Sequence, residues 1–285
     1  DVKNNRGDYD IYLENEYVTV HNTIRFSQTA LTRYNKGQLS LVKEPGDIFG
    51  GVKPLNKMQR YALNALLDPN IPLVVLAGPA GTAKTFLSLA AALTQTSFIG
   101  RRNVSKKFDT DREPYRKILI SRPNAGNSDP GFGYLPGELS EKMAPLLANY
   151  TDTLEAIFRG AERDATENEI QMHIDDLFSN NVIELCPLNF IRGRSLQDSF
   201  IICDEAQNAT RTLIRDVVTR AGRGSKVVVL GDPAQVDAPG LDSKNNGLIY
   251  CMSTMKGTPV TAVLKFNEEN CVRSELAETA IKKMK

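Results

Sequence analysis

No excess of charge marks this chain: 35 Lys and Arg stand against 34 Asp and Glu in 285 residues, a net charge of +1. That balance excludes a globally basic protein, so any anionic partner has to be met by a local patch. No apolar run reaches the length of a membrane span, and no charged-then-apolar leader opens the sequence. No membrane partner is expected. The four cysteines, Cys186, Cys203, Cys251 and Cys271, have no CxxC spacing. This argues against a zinc or disulfide framework and for reduced thiols in a cytoplasmic protein. What remains is an ordinary globular composition, 41% hydrophobic and 24% charged, long enough for one large α/β domain or two small ones.

The stretch that organises the chain is IPLVVLAGPAGTAKTFLSLAAA, from Ile71 to Ala92. It reads as a buried strand (Pro72–Ala77), a small-residue loop, and Lys84-Thr85 opening an apolar helix. A phosphate-binding loop needs that order. The loop Gly78, Pro79, Ala80, Gly81, Thr82 and Ala83 frames an anion through its backbone N–H groups, which every one of these but Pro79 has, and through the helix N-terminus. Lys84 neutralises β/γ-phosphate charge, and the Thr85 hydroxyl ligates Mg²⁺. Only Gly78, Lys84 and Thr85 match the letters of the pattern, which recur by chance, so the strand before and the helix after carry the reading. Ala83 stands where the pattern has Gly, and its methyl is expected to weaken the approach to phosphate.

SFIICDEAQN, Ser199 to Asn208, is the second anchor. An apolar strand ends in Asp204-Glu205. In phosphate-transfer ATPases such an Asp faces Mg²⁺ opposite the loop hydroxyl, and the next acid activates the attacking water. Lys226–Leu230 is another apolar strand leading into GDPAQ, where Gln235 is placed to sense a γ-phosphate; a tight Asp-Pro turn is the plainer alternative. Strands at 72–77, 182–186, 200–203 and 226–230 are continuous apolar runs. That is the mark of a parallel sheet covered on both faces, and alternation with helices makes it doubly wound.

Residues 10–42 favour short strands, with a turn at Asn35-Lys36-Gly37. They are read as a small β-rich extension, 1–47, before a domain of residues 48–285. A helix over Asn56–Leu67 carries Gln59, either an adenine reader through its amide or a solvated residue. GRRNVSKKFDTDREPYRK, from Gly100, mixes bases and acids with Phe108 and Tyr115; it is read as a solvated loop, with single-strand binding as the alternative. Arg122 ends a strand before a long loop, and is placed for phosphate or for holding that loop. Arg192 and Arg194 flank Gly193 and either grip phosphate as forks or pair structurally with an acid. Ser140–Arg159 is expected to be helical with a break near Pro145, and Ala161–Leu177 to be a surface helix with a solvated His173.

GPAGTAKT, SRP with the later YLPGELSEKMAP, FIRGRSLQDSFIICDEAQN, VVVLGDPAQVD and the late VRSELAE occur in that order. Together they resemble the PhoH-like ATPase family, from about Ile48 to the C-terminus. The resemblance implies a single helicase-like core, similar to the RecA-type motor of superfamily-one helicases. It also implies hydrolysis of ATP with Mg²⁺ and a link to RNA. Some members of that family join the core to an N-terminal PIN nuclease; the segment before Ile48 looks like the linker side of such a protein and is too short for a nuclease. Arg273 lies in VRSELA, which approximates the family's late motif, and is the implied arginine finger.

The expectation is therefore an ATPase coupling hydrolysis to RNA binding, unwinding or remodelling. Lys84, Glu205, Gln235 and Arg273 are its catalytic residues, Thr85 and Asp204 its metal residues, and Arg122, Arg192 and Arg194 its RNA contacts. One core per chain suggests a homo-oligomer, such as a hexameric ring, with Arg273 reaching a neighbour's nucleotide. A nucleotide-binding switch or scaffold with little turnover is the first alternative and a small-molecule kinase the second. A GTPase is disfavoured, since no NKxD-type motif follows.

Overall fold

A computed structural model describes residues 11–25, 27–97, 115–123, 138–191 and 193–272, without the side chains of 138–147. Arg192, Arg273, Phe108 with most of its basic loop, the loop after Pro123 and the end helix expected from Ser274 lie outside the described residues.

The N-terminal strands β1 (Tyr17–His21), β2 (Thr29–Asn35) and β3 (Gln38–Leu41) form an antiparallel sheet in chain order. Lys36-Gly37 turns β2 into β3. The sheet rests on helix α1 (Lys57–Leu67), which starts at the Asn56 cap, where Oδ1 accepts from Gln59 N at 3.0 Å. Tyr17 Oη donates to Asn64 Oδ1 at 2.8 Å, the Thr19 and Tyr61 hydroxyls lie 2.9 Å apart, and Arg33 pairs with Asp68. Buried Lys226 donates to the carbonyls of Ala65 and Asp68 at 2.9 and 2.8 Å. A cation there satisfies the orphan acceptors at the end of α1.

The main sheet holds β4 (Leu73–Ala77), β5 (Lys117–Arg122), β6 (Ile183–Pro187), β7 (Ser199–Cys203), β8 (Lys226–Gly231) and β9 (Thr261–Lys265). Their order is β6-β5-β7-β8-β4-β9, and every pair is parallel. Alternate residues feed two separate cores, as a period of two requires. Val74, Leu76, Ile118, Phe200, Ile202 and Val228 pack with α1 and with α2 (Lys84–Gln95), α3 (Glu138–Ala161) and α4 (Glu167–Ser179). Val75, Leu119, Ile201, Val227 and Val229 pack with α5 (Arg211–Arg220) and α6 (Gly247–Met255). Both faces are apolar, which is why the strands read as unbroken hydrophobic runs. The expected doubly wound α/β sheet is what the chain forms.

Two helix boundaries differ from expectation. α3 continues through Pro145, because a proline removes one helical hydrogen bond without having to end the helix. α4 starts at Thr166 rather than Ala161, where Thr166 and Glu169 close a capping box. His173 on α4 is half exposed and faces Glu162 at 3.0 Å. Among the described residues no helix is long and apolar enough to cross a membrane. All four cysteines are free thiols, three of them buried.

Candidate active site

The site sits at the carboxyl ends of β4, β7 and β8, where a parallel sheet offers a crevice. β4 leaves the sheet at Gly78, whose φ is 149°. A Cβ there would lie 2.5 Å from Phe266 O, so the loop can pass this close to the segment after β9 only as glycine. The loop then turns into α2. The first turn of α2, Lys84 to Phe86, lines the crevice, and the N–H groups that a helix start leaves without intrahelical partners suit such a place to anions. Ala83 is the last residue before α2 and lies in the left-handed region at φ 66°, ψ 24°. The missing Gly therefore matters for backbone strain as well as for the approach of phosphate.

That strain makes an expected result. Ala83→Gly removes about 1–2 kcal/mol of left-handed strain and returns about 0.4–1 kcal/mol of unfolded-chain entropy, so folding stability rises slightly. Nucleotide affinity rises several-fold, because the methyl at the phosphate surface is gone. Thermal melting and calorimetric titration with ATP check both; a weaker Kd would show that Ala83 does not crowd the phosphates.

Six polar side chains meet in a cavity of about 230 Å³: Lys84, Thr85, Asp204, Glu205, Asp232 and Gln235. Lys84 Nζ donates to the carbonyls of Gly78 and Pro79, both at 2.8 Å, so the ammonium lies inside the loop. Thr85 Oγ1 donates to Asp204 Oδ2 at 3.2 Å, across 119 residues of sequence. Asp204 Oδ1 accepts from Glu205 N at 2.9 Å, and Asp204 N donates to Ser121 O at 2.8 Å. Glu205 follows the strand in the left-handed region, φ 53°, a conformation a non-glycine residue adopts under strain. Arg122 Nη2 stands 3.8 Å from Glu205 Oε1.

Sequence reasoning passed over two residues here. Gln207 is fully buried; its Nε2 donates to Glu205 Oε2 at 2.5 Å and to Gln235 O at 2.9 Å, while its Oε1 accepts from Asp232 N at 3.1 Å. One amide thus ties the acid after β7 to the turn after β8. A Cβ on Gly231 would lie 2.3 Å from that Oε1, so Gly231 makes room for Gln207. The DEAQ letters were the available signal for Gln207. The second is Tyr150 of α3, which donates its hydroxyl to Asp204 Oδ2 at 3.2 Å. No local pattern announces it.

Burial, opposed by Asp232, Asp204 and Glu205, lowers the Lys84 pKa from its ordinary value. Burial, followed by the Glu205 carboxylate, raises that of Asp204. A carboxylate so placed favours a proton or a cation beside it. The donor set fits Mg²⁺: one hydroxyl and one carboxylate converge beside an anion-binding loop, and Mg²⁺ takes few protein oxygens and completes its shell with water and phosphate. Among the described residues no group of three or more His, Cys, Asp or Glu forms a cage of its own.

The remaining expected residues are placed as follows. Gln59 is 2% exposed, so it is not a solvated helix residue; its Oε1 accepts from Leu55 N at 2.8 Å. It lies outside the lining of the 230 Å³ cavity. Arg194 is engaged by Glu184, with Nη1–Oε1 at 2.5 Å and Nη2–Oε2 at 3.1 Å, and the pair holds Glu184 down to about 2. Val272, directly before Arg273, donates its N–H to Gly81 O at 2.9 Å.

A doubly wound parallel sheet with this strand–loop–helix and an acid pair facing its Lys and Thr defines a P-loop-type α/β protein. Comparison with known sequences then gives the family. The family model for PhoH-like proteins matches residues 51–285. The chain is 41% identical over 230 residues to protein PhoH2 of Bacillus subtilis, covering 81% of this chain and 47% of that protein. It is 35% identical over 234 residues to PhoH2 of Mycolicibacterium smegmatis, covering 82% and 48%. It is 38% identical over 232 residues to a PhoH-like protein of Mycobacterium tuberculosis, covering 81% and 57%. The chain belongs to the PhoH family, and it spans about half the length of the curated relatives it matches.

Proposed function

We propose that this chain hydrolyses ATP and couples hydrolysis to the binding and remodelling of RNA. The observation that carries the first half is the convergence of Lys84 and Thr85 with Asp204 and Glu205 on one small cavity from two separate segments. The loop amides and the α2 N-terminus bind the phosphates, and Lys84 exchanges its loop carbonyls for β/γ-phosphate oxygens. Thr85 and Asp204 hold Mg²⁺, which when bound neutralises charge on the phosphate oxygens. Glu205 accepts the proton of the attacking water. Gln207 keeps Glu205 in register with the Asp232–Gln235 turn, from which Gln235 faces the γ-phosphate. Gln59 reads the adenine edge, and Arg273 serves as the arginine finger, in a neighbouring chain of a homo-oligomeric ring.

The tie between Glu205 and the Gln235 turn favours water over a small-molecule acceptor, and so an ATPase over a kinase. RNA coupling rests on family membership and on Arg122, which is partly exposed at the edge of the site. Arg192 is proposed as a further RNA contact from its place in the sequence; the engaged Arg194 contributes less.

Single-stranded RNA is expected to raise ATP turnover, with a stimulation that shrinks as salt rises, because phosphate contacts release counterions. Phosphate release measured with and without RNA at low and high salt tests this. Unchanged turnover across several RNAs at low salt removes the RNA half of the proposal. ATP binding without phosphate release makes the chain a switch, and release only with an added metabolite makes it a kinase.

A further inference from the structure

Helix α3 places one polar group in the active site that the proposed reaction does not use. Tyr150 is 4% exposed, and further along the helix Leu154, one turn on, and Ile157 and Phe158, two turns on, are buried in the core. The ring therefore stands on a packed helix and has little freedom to move. Its hydroxyl donates to Asp204 Oδ2 at 3.2 Å. The same oxygen accepts from Thr85 Oγ1 at 3.2 Å, and the other carboxylate oxygen accepts from Glu205 N at 2.9 Å.

These three donors divide the work of orienting one carboxylate. Glu205 N fixes Oδ1 from the chain itself. Thr85 approaches Oδ2 from α2, on the side of the phosphate loop. Tyr150 approaches Oδ2 from a different helix. An Asp side chain at a strand end can turn about two torsions, and a cation held through one carboxylate depends on which way that carboxylate faces. Thr85 gives its one hydrogen to Oδ2 and keeps its lone pairs for the cation. The phenol adds a second donor to the same oxygen from a separate helix.

We infer that Tyr150 is a positioning residue of the cation site: α3 supplies a fixed hydroxyl that holds Asp204 Oδ2 toward Thr85, so that Mg²⁺ arriving with ATP meets a carboxylate already turned. The inference rests on the ATPase reading of the same site. It makes α3, the helix that follows the segment after Arg122, a structural part of the metal centre.

The test is Tyr150→Phe, which removes one oxygen and leaves the ring. Binding of a non-hydrolysable ATP analogue is titrated by calorimetry in EDTA and across a Mg²⁺ series, with melting in EDTA as the control for folding. A hydrogen bond to a charged group is worth about 1.5–3 kcal/mol, so half-saturation by Mg²⁺ is expected to rise at least ~10-fold. Affinity in EDTA stays at the wild-type value. If Tyr150→Phe melts lower but keeps the wild-type Mg²⁺ half-saturation, Tyr150 is only a core residue and the inference is overturned. If the wild type itself binds the analogue equally in Mg²⁺ and EDTA, the cation reading of the site fails, and this inference with it. Should the variant not fold, 3-fluorotyrosine at position 150 of the wild-type chain gives a ¹⁹F resonance. A shift on adding Mg²⁺ to the analogue complex supports the inference, and an unmoved resonance overturns it.

Discussion

Lys84→Ala leaves a folded chain with ATP turnover reduced at least ~100-fold, the scale on which a single preorganised charge stabilises a transition state. Among the described residues Lys84 is the cationic side chain lining the 230 Å³ cavity, and three acids, Asp204, Glu205 and Asp232, share that lining. Without the ammonium the cavity is net negative, and a triphosphate meets carboxylates uncompensated. The fold should survive because Lys84 is only partly buried and its partners, Gly78 O and Pro79 O, lie on a loop rather than in the core. Phosphate release, ATP calorimetry and a melting curve measured together separate the effects. Turnover within a few-fold of wild type would take Lys84 out of the reaction. A collapsed melting temperature would instead assign it to holding the loop.

Glu205→Gln is expected to separate binding from hydrolysis. Loss of a positioned general base slows turnover by about 10²–10⁴-fold. ATP binding should hold or tighten, for an electrostatic reason. Glu205 is the neighbouring charge that raises the proton affinity of Asp204. Replacing it by an amide removes that repulsion, and it relieves the crowding of negative charge around the phosphates. The amide oxygen can still accept from Gln207 Nε2, so the tie to Gln235 O persists. Rapid-mixing measurement of ATP binding beside single-turnover phosphate release reads the split. If binding and hydrolysis fall together, Glu205 acts by holding Gln207 and the Asp232–Gln235 turn, and the base lies elsewhere.

The contrast between these two variants and the Ala83→Gly result marks what each link in the chain supplies. Lys84 and Glu205 were legible from the letters around them, because a phosphate loop and an acid-ended strand are both local patterns of side chains on a strand–turn–helix. The strands too were legible, since burial on both faces of a parallel sheet leaves an unbroken apolar run in the sequence. The site's two anchors could therefore be named 119 residues apart before any geometry showed Thr85 meeting Asp204.

What the sequence by itself determined is the fold class, the phosphate loop and the acid pair, because each is encoded by neighbours along the chain or by a period along one element. Tertiary structure decided the rest. It set Ala83 at a positive φ, drew Gln59 out of water, engaged Arg194 with Glu184, made Gln207 the link between two strand tips, and brought Tyr150 of α3 to Asp204 from 54 residues away. For the contacts between separate elements the physical reason is shared. A side chain's partner across the sheet depends on which strand lies beside which and on how each helix is rotated against it, and neither quantity is carried by any short window of residues.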